Sequence, residues 1–422
     1  MAGRILVDVA PLKESRQFRL LFVAVLVTTL GSQLTVVAIP FQIYGETHSS
    51  LQVGLVSLAQ LVPLVVGALI GGSVGDVVDR RRLLLWSSVG LSLTSTGLAL
   101  NALPARPSVP VVYVVSATAA FLLGFSDPAR TAAVPKLVGV AHLAAAFAFL
   151  QILFQVGSIV GPALSGQLIE HVGLPFVYGI DAVTYLMAMA VMALMDPLPP
   201  IAGARRPGIG SILEGIRFLK GRQPLQGVYL IDINAMVFGM PRALFPALSV
   251  HVFGGGASTL GYLYAAPGVG ALIGATATGW VARLRRQGLA VIVAVIVWGA
   301  AVTVFGFVHV LWVSLVLLAV AGWADVVSAV LRNTILQTTI PDEFRSRLSA
   351  IQMAVVTGGP RLGDLESGAV AALVDVQFSI VSGGLACIVG AFVLSSLLPG
   401  FRRYRREDVR PEAPPPVEPS TG

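Results

Sequence analysis

Residues 71–82 read GGSVGDVVDRRR and join two apolar runs, residues 53–70 and residues 83–103. Each run is compatible with the interior of a bilayer, because about 20 apolar residues in a helix suffice to cross it. Three consecutive arginines in the short loop between two such runs hold that loop on the cytoplasmic side. A soluble protein has no need of this arrangement, and the loop therefore predicts a membrane protein with several spans.

The composition of the whole chain agrees with this prediction. Of its 422 residues, 55% are hydrophobic and 12% are charged, whereas a soluble domain has about 25% charged residues. We predict an all-α protein with twelve spans, numbered 1 to 12 along the chain. They run near 18–44, 51–75, 82–103, 109–133, 141–170, 173–195, 224–250, 258–283, 288–308, 310–338, 346–373 and 375–400.

The basic residues predict the orientation of these spans. Almost all of the 28 Lys and Arg residues fall on the N-terminal segment, the even-numbered connections or the C-terminal segment, and the odd-numbered connections contain only Arg106. By the positive-inside rule both termini are cytoplasmic, as an even number of spans requires. The net charge of +7 therefore reflects topology and does not predict nucleic-acid binding. The first apolar run is too long for a signal-peptide core, which predicts an uncleaved first span.

The sequence does not favour an enzyme or a metalloprotein. The one cysteine, Cys387, falls inside span 12, which excludes a disulfide framework. The five histidines are scattered without metal-ligand spacing. Neither a phosphate-binding glycine loop ending in Lys and Ser/Thr nor a serine nucleophile elbow occurs. We predict a membrane protein that is not an enzyme and that holds no cofactor or metal.

The chain divides into two similar halves. Residues 1–195 contain spans 1–6 and residues 224–400 contain spans 7–12; a cytoplasmic linker with an amphipathic segment lies at 196–223, and a disordered cytoplasmic tail at 401–422. Glycines and prolines match at nearly constant shifts in the pairs Gly54/Gly261, Gly67/Gly274, Gly72/Gly279, Pro135/Pro341, Gly157/Gly359, Gly161/Gly363 and Gly166/Gly368. Duplicated six-helix halves with a substrate site between them are a recurrent plan of secondary transporters.

Over essentially its whole length the chain resembles the major facilitator superfamily. Residues that match the superfamily's motif between helices 2 and 3 are Gly72, Asp76, Arg80 and Arg81. Val77 stands in place of the motif's first basic residue, and Asp79 in place of its second glycine. Asp79 and the segments at 126–130, 232–246 and 361–368 are similar to the branch of proton-driven exporters that contains the bacterial enterobactin exporter.

This resemblance implies two pseudo-symmetric six-helix bundles in the bacterial cytoplasmic membrane. It implies export of a small amphipathic organic molecule, siderophore-like or drug-like, in exchange for protons, with the two halves rocking about a central site. An importer or a facilitator on the same fold is an alternative, and so is a membrane sensor or scaffold that moves no ligand. Carboxylates inside spans argue against the scaffold, since a protein that descends from a transporter but no longer transports has no need of carboxylates in the membrane.

Charged residues inside spans are the candidates for proton coupling. A charge at mid-membrane costs about 3 kcal/mol on insertion scales, so each one needs a reason to be kept. The candidates are Asp232 of span 7, Asp325 of span 10, and Asp364 and Glu366 of span 11. Arg361 lies three positions before Asp364 and can pair with it. Glu366 faces away from Arg361, and burial of an unpaired carboxylate disfavours its charged form. For Asp232 and Glu366 the alternative is a structural pairing with another helix.

Further residues are candidates for substrate contact, gating and helix packing. The predicted cavity residues are Gln33, Gln151, Gln155, Phe238, Arg242 and Arg361. The predicted cytoplasmic gate residues are Gly72, Asp76, Asp79, Arg80, Arg81 and Arg130; the resemblance implies one charge network for Asp76 and Arg130, and the alternative is a topology determinant. The predicted packing residues of span 5 are Gly157, Gly161, Pro162 and Gly166, a pattern that in the superfamily accompanies export. For Asp181 and Glu170 we expect interfacial roles near the outer ends of spans 6 and 5.

Overall fold

The computed structural model describes residues 8–199, 209–277 and 284–405, and the regular secondary structure of these residues is helical throughout. Within them, ten helices are long and apolar enough to cross a membrane. Two further long helices, Ala257–Ala277 and Asp342–Leu373, lie at the positions predicted for spans 8 and 11. The second of these carries the charged residues of span 11.

The helices follow the predicted order. Spans 1 to 6 are Arg16–Thr47, Ser50–Gly75, Arg80–Asn101, Val109–Val138, Leu143–Val172 and Leu174–Met192. Spans 7 to 12 are Gln223–His251, Ala257–Ala277, Gln287–Phe305, Leu311–Thr339, Asp342–Leu373 and Val376–Leu397. Short helices at Ala10–Glu14, Ile209–Leu219 and Pro399–Arg402 lie outside the spans. We call the face that carries these short helices the terminal side and the opposite face the distal side.

The two halves repeat the same packing. In the first half, span 2 packs against span 4, span 1 against spans 5 and 6, and span 3 against spans 4 and 6. The equivalent contacts in the second half join span 8 to span 10, span 7 to spans 11 and 12, and span 9 to spans 10 and 12. Between the halves, span 2 packs against span 11 and span 5 against span 8, which are again equivalent pairs. The fold is therefore two pseudo-symmetric six-helix bundles.

Glycines let spans 2 and 11 approach each other closely. A Cβ atom at Gly54 of span 2 would lie under 3.0 Å from the Asp364 carbonyl oxygen, and a Cβ atom at Gly368 of span 11 would lie 2.6 Å from the Ser50 carbonyl oxygen. Small residues permit such backbone-to-backbone contact between membrane helices. Both glycines lie in the distal part of their spans, so this contact closes the distal side between the halves.

Spans 5 and 8 make the equivalent contact. A Cβ atom at Gly261 of span 8 would lie 2.5 Å from the Pro162 carbonyl oxygen, and one at Gly166 of span 5 would meet the start of span 8. Glu170, at the distal end of span 5, accepts a hydrogen bond from the Ser258 backbone N–H at 3.1 Å. This carboxylate therefore caps the first turn of a helix in the other half, where a negative charge is favourable.

Span 7 is not the continuous helix that the sequence predicted. Its first segment ends at Phe238, and α-helix resumes at Phe245 after a 3-10 turn at Arg242–Leu244. Pro241 explains the break, because proline lacks a backbone N–H and clashes with the preceding helical turn. Non-helical backbone at membrane depth occurs only where protein buries it or where it lines a cavity. Gly239 to Arg242 line a cavity between the halves, and Ala243 and Leu244 are buried, so the break satisfies both conditions.

The loop after span 2 fastens helices of the first half to each other and to the linker. Asp79 accepts hydrogen bonds from the backbone N–H groups of Arg81 at 2.8 Å and of Leu198 at 3.1 Å. Arg81 in turn donates to the Met192 carbonyl oxygen at 3.2 Å. Asp79 thus caps the start of span 3, and Arg81 satisfies a carbonyl group at the end of span 6 that has no partner within its helix.

Arg80 is the buried arginine of this loop, and it donates to the carbonyl oxygens of Gly75 at 3.3 Å and Ala132 at 3.2 Å. We expect Arg80→Lys to lower the free energy of unfolding by about 1–3 kcal/mol, because lysine keeps the charge but leaves a buried carbonyl without its donor. Thermal unfolding in detergent measures this loss. Arg82→Lys, at an exposed side chain, is the matched control, and equal unfolding temperatures for the two variants would contradict the capping role.

The linker and the tail are described in part. Residues 200–208, 278–283 and 406–422, which include most of the predicted tail, lie outside the described residues. The linker helix Ile209–Leu219 packs against span 11. Phe401 is fully buried beside Gly227 of span 7, so packed structure extends into the segment predicted as tail. The proposed domain bounds otherwise stay a prediction.

Candidate functional site

Two adjoining cavities lie between the halves, on the terminal side of the glycine contacts. Their volumes are about 310 Å³ for the first cavity and about 430 Å³ for the second. The residues that line both are Gln33, Val36, Phe154, Arg242 and Tyr264, so both halves contribute to the shared wall. These volumes fall in the range of sites for small organic ligands.

The first cavity has aromatic walls and is lined by the break in span 7. Phe245 and Tyr264 meet edge to face, with ring centroids 5.2 Å apart. Trp298 donates through Nε1 to the Gly239 carbonyl oxygen at 2.8 Å, and the Tyr264 hydroxyl donates to the Arg242 carbonyl oxygen at 3.2 Å. Aromatic side chains thus hold the unwound backbone and also present ring surface on which a ring-bearing molecule can stack.

The second cavity is polar and contains charges of both signs. Arg242, Arg361 and Asp364 line it from the second half, and the buried Asp364 interacts electrostatically with both arginines. Among the described ion pairs none joins Arg361 to Asp364, because Arg361 donates instead to the Thr357 carbonyl oxygen at 2.9 Å. In the described structure the Nε atoms of Arg242 and Arg361 have no hydrogen-bond partner, so both can serve an anionic or hydroxyl-bearing ligand.

Arg332 of span 10 connects two of the predicted proton-coupling residues. Its guanidinium forms an ion pair with Asp232, whose side chain is fully buried, and lies 3.8 Å from the Asp325 carboxylate. Gln352 of span 11 donates to Asp232 at 3.4 Å. Because Asp325 also lines the first cavity, this cluster runs from the cavity toward the terminal side.

Asp181 is the site residue that the sequence prediction misplaced. It is buried two turns inside span 6, not at the membrane interface, and it lines the second cavity from the first half. Ser95 of span 3 donates to its Oδ2 atom at 2.6 Å. Span 6 begins within one residue of its predicted start, and Asp181 follows that start by two helical turns, which is deep enough to bury its side chain. The hydroxyl-rich face of span 3, which includes Ser88 and Ser92, was the signal that a polar partner faces it.

Glu366 lies apart from the other carboxylates of the site. It follows Asp364 by two positions and so lies roughly 200° around the helix from it. Leu362 and Leu373 share its face of span 11, and both are exposed. The residues that line the two cavities do not include Glu366. The structure therefore gives a role in proton coupling no geometric support at this position.

The uncharged cavity candidates divide into two groups. Gln33 lines both cavities, and Gln155 lines the first, where its amide donates to the Gly268 carbonyl oxygen at 3.0 Å. Gln151 and Phe238 are exposed and are absent from the lining of either cavity. The first pair is therefore positioned for substrate contact, and the second pair is not in this conformation.

The gate candidates lie on the terminal side. Gly72 has open space around it, with the Pro128 side chain at 4.0 Å from a Cβ atom built there. Arg130 forms an ion pair with Asp127, one turn earlier in span 4. The roles of Asp79, Arg80 and Arg81 are the capping contacts described above. A network that joins Asp76 to Arg130 stays a prediction.

The small residues of span 5 face two different partners. Gly157 and Gly161 pack against span 1, where added Cβ atoms would collide with the side chains of Thr29 and Gln33. Gly166 and the buried Pro162 meet span 8, as described for the distal contact. The span therefore both positions Gln33 in the cavity wall and joins the two halves.

Comparison with known proteins shows which family and which relatives this chain is similar to. Residues 7–418 match the family model described as transmembrane secretion effector. The chain is 30% identical over 412 residues to the enterobactin exporter EntS of Citrobacter koseri, across 98% of this chain and 97% of that protein. It is also 30% identical over 417 residues to the enterobactin exporter EntS of Escherichia coli O157:H7, across 99% of each chain.

Solved structures share the fold at low sequence identity. The nucleoside transporter NupG superposes with a TM-score of 0.75 at 12% identity, across 90% of this chain and 100% of that one. A bacterial homolog of the human lysosomal transporter Spinster, in an inward-facing and unoccupied conformation, superposes with a TM-score of 0.73 at 14% identity, across 92% of this chain and 99% of that one.

The family match over nearly the whole chain and these relatives identify the two six-helix bundles as an integral membrane transporter of the major facilitator superfamily, with a small-molecule substrate. The relatives are exporters and the structural neighbours are transporters, so this is an efflux protein and not an enzyme. Within the superfamily, the chain belongs to the transmembrane secretion effector family.

Proposed function

We propose that this protein exports a small amphipathic organic molecule, siderophore-like in chemistry, from the bacterial cytoplasm in exchange for protons. The observation that carries the proposal is the pair of cavities between the halves, one aromatic and one lined by arginine and aspartate side chains. Relatives that match the chain over nearly its full length are named enterobactin exporters, which supports a siderophore-like substrate.

The charges of the second cavity support a substrate that carries acidic or hydroxyl groups on its rings. Arg242 and Arg361 have unused donors there, and charge-assisted hydrogen bonds to arginine are stronger than neutral ones. The rings of Tyr264 and Trp298 offer stacking surface in the adjoining cavity. A molecule that spans both cavities would place its aromatic part against the rings and its polar edge between the arginines.

The distribution of contacts between the halves supports alternating access. The glycine contacts seal the distal side, and the cavities lie on the terminal side of that seal. The positive-inside rule assigns the terminal side to the cytoplasm, so this conformation is the inward-facing one. Rocking of the halves would separate the glycine contacts and expose the same cavities to the outside.

The cluster around Arg332 supports coupling to protons. Asp232 and Asp325 compete for one guanidinium, and Asp325 also faces the first cavity. A proton on Asp325 would leave Arg332 to Asp232 alone, whereas an ionised Asp325 would draw Arg332 toward the cavity. Protonation can therefore change the charge that the cavity presents to the substrate.

Transport by purified protein in proteoliposomes tests this function. We expect an imposed pH gradient to drive accumulation of siderophores or amphipathic dyes, and Arg242→Gln to reduce that accumulation because the cavity loses a charged donor. Arg106→Gln, at an exposed loop position, is the matched control and should transport at the parental rate. Uptake that ignores the pH gradient would contradict antiport, and uptake driven only toward the cytoplasmic face would favour an importer.

A further inference from the structure

Asp181 differs from the other buried carboxylates of the site because no ion pair within the described part of the chain neutralises it. Asp232 pairs with Arg332, and Asp364 faces two arginines. Among the described ion pairs none involves Asp181. Its Oδ2 atom accepts one hydrogen bond from Ser95, and its buried Oδ1 atom has no partner in the described residues. A buried carboxylate in this state is costly to keep ionised.

The surfaces around Asp181 present hydroxyl groups and open space to it. Span 1 places Gly31 against the carboxylate, and a Cβ atom there would lie 2.7 Å from Oδ1. Span 3 supplies Ser95. Tyr178 and Tyr185 flank Asp181 on its own span and are both buried. The charged groups that share its cavity are those of the second half: two arginines and the Asp364 carboxylate.

A small polar chamber begins beside Tyr185, one helical turn from Asp181, and extends toward the terminal side. Its volume is about 70 Å³, and it lies between spans 1, 3, 4 and 6. The hydroxyl groups of Thr28, Thr29, Ser32, Ser87, Ser88 and Ser126 line it. Tyr185 lines both this chamber and the second cavity, and Arg130 lies at the terminal end of the chamber. The chamber therefore connects the wall of the second cavity at Tyr185, one turn from Asp181, to the level of the Arg130–Asp127 ion pair.

The chamber has the properties of a site for buried water. A water molecule occupies about 30 Å³ in the liquid and needs two to four polar partners, and both conditions are met here. The Ser87 hydroxyl is buried without a hydrogen-bond partner in the described residues. Water in the chamber would satisfy that hydroxyl and link the hydroxyl groups into a hydrogen-bonded chain.

We propose that Asp181 carries the coupled proton and that the hydroxyl-lined chamber conducts this proton to the terminal side. This inference rests on the proton antiport proposed above. When the cavity opens to the distal side, hydronium from water on that side gives up a proton, which forms an O–H bond at Oδ1, and the carboxyl group becomes neutral. When the cavity opens to the terminal side, that bond breaks, the proton passes to water in the chamber, and the carboxylate left behind accepts hydrogen bonds from Ser95 and from the substrate.

Asp181→Asn separates proton coupling from substrate movement, because an amide keeps the shape of the side chain but does not carry the proton. Two assays in proteoliposomes are needed: accumulation driven by a pH gradient, and exchange of labelled for unlabelled dye without a gradient. We expect Asp181→Asn to lose gradient-driven accumulation down to the level of protein-free vesicles while exchange continues. Asp181→Glu should regain part of the accumulation. Glu46→Gln, at an exposed carboxylate outside both cavities, is the matched control and should behave like the wild type.

The outcomes separate this inference from the proposed function. Gradient-driven accumulation by Asp181→Asn at the parental rate would overturn the role of Asp181 and leave antiport standing. Loss of exchange as well as accumulation in both the Asn and the Glu variants would assign Asp181 a structural role and also overturn it. A wild-type protein that ignores the pH gradient would overturn antiport, and this inference with it.

A separate variant tests the chamber as the proton path. Ser87→Val should slow gradient-driven accumulation and leave exchange intact. An unchanged rate of accumulation would exclude the chamber as the path.

Discussion

Valine at both Gly54 and Gly261 is expected to abolish transport and to hold the protein open at the distal side. A Cβ atom at either position would lie 2.5 Å or less from a backbone carbonyl oxygen of the opposite half, and backbone cannot move aside as a flexible side chain can. Overpacking costs about 1–3 kcal/mol per site, and about 5.5 kcal/mol converts a 99:1 equilibrium into 1:99. The clash exists only in the distally closed state, so both substitutions shift the equilibrium toward the distally open state.

Thiol labelling measures this shift. The single cysteine, Cys387, is buried, and Cys387→Ser gives a background in which a cysteine at Ser57, which lines the second cavity, reports access from the distal side. We expect faster labelling by a membrane-impermeant reagent in the double valine variant. Gly45→Val with Gly179→Val is the matched control, because nothing lies within 4 Å of a Cβ atom at those two positions. A double valine variant at Gly54 and Gly261 that transports like this control would contradict the closure mechanism.

Arg332→Met is expected to cost about 3–5 kcal/mol, because it leaves the fully buried Asp232 as an uncompensated charge. That loss is a large part of the 5–15 kcal/mol typical of a folded protein. Little folded protein should therefore be recovered from membranes. The combination Asp232→Leu with Arg332→Met removes both charges and should restore most of the stability, since an apolar pair often replaces a buried ion pair without loss.

Size-exclusion profiles and thermal unfolding in detergent measure this rescue, and transport by the rescued double variant then decides between two roles for Asp232. A stable variant that also transports with the pH gradient would assign the pair a structural role. A stable variant without gradient-driven transport would assign it to coupling. Arg347→Met breaks a partly exposed ion pair with Glu214, which is worth about 0–1 kcal/mol, and is the matched control. Equal losses from Arg332→Met and Arg347→Met would contradict the argument from burial.

The sequence was sufficient to predict the fold because the fold depends on patterns that repeat along the chain. Apolar run lengths and the arginine-rich loop at 71–82 predict the spans, and the matched glycines predict the duplication. Those glycines turn out to have equivalent partners: Gly54 and Gly261 contact the other half, and Gly67 and Gly274 approach carbonyl groups of spans 4 and 10. A small residue required at the same place in both bundles is visible in sequence as a constant shift.

The site was harder to predict because it depends on which helix faces meet. Span 7 breaks at Pro241, yet its sequence remains apolar on both sides, so composition does not show the break. The pairing of Asp232 with Arg332 joins spans 7 and 10, and no spacing within either span indicates it. The start of span 6 was predicted to within one residue, but the burial of Asp181 depends on the hydroxyl-bearing face of span 3 that packs against it, which no spacing within span 6 indicates.

Electron spin resonance distances between pairs of labels test the rocking of the two halves most directly. On the Cys387→Ser background, one pair joins exposed positions on the terminal side, Val77 and Glu343, and the other joins exposed positions on the distal side, Glu46 and Leu373. Lowering the pH or adding a transported dye should lengthen one distance and shorten the other, since the halves rotate about the cavity between them. Two distances that stay fixed, or that lengthen together, under conditions in which the protein transports would contradict alternating access.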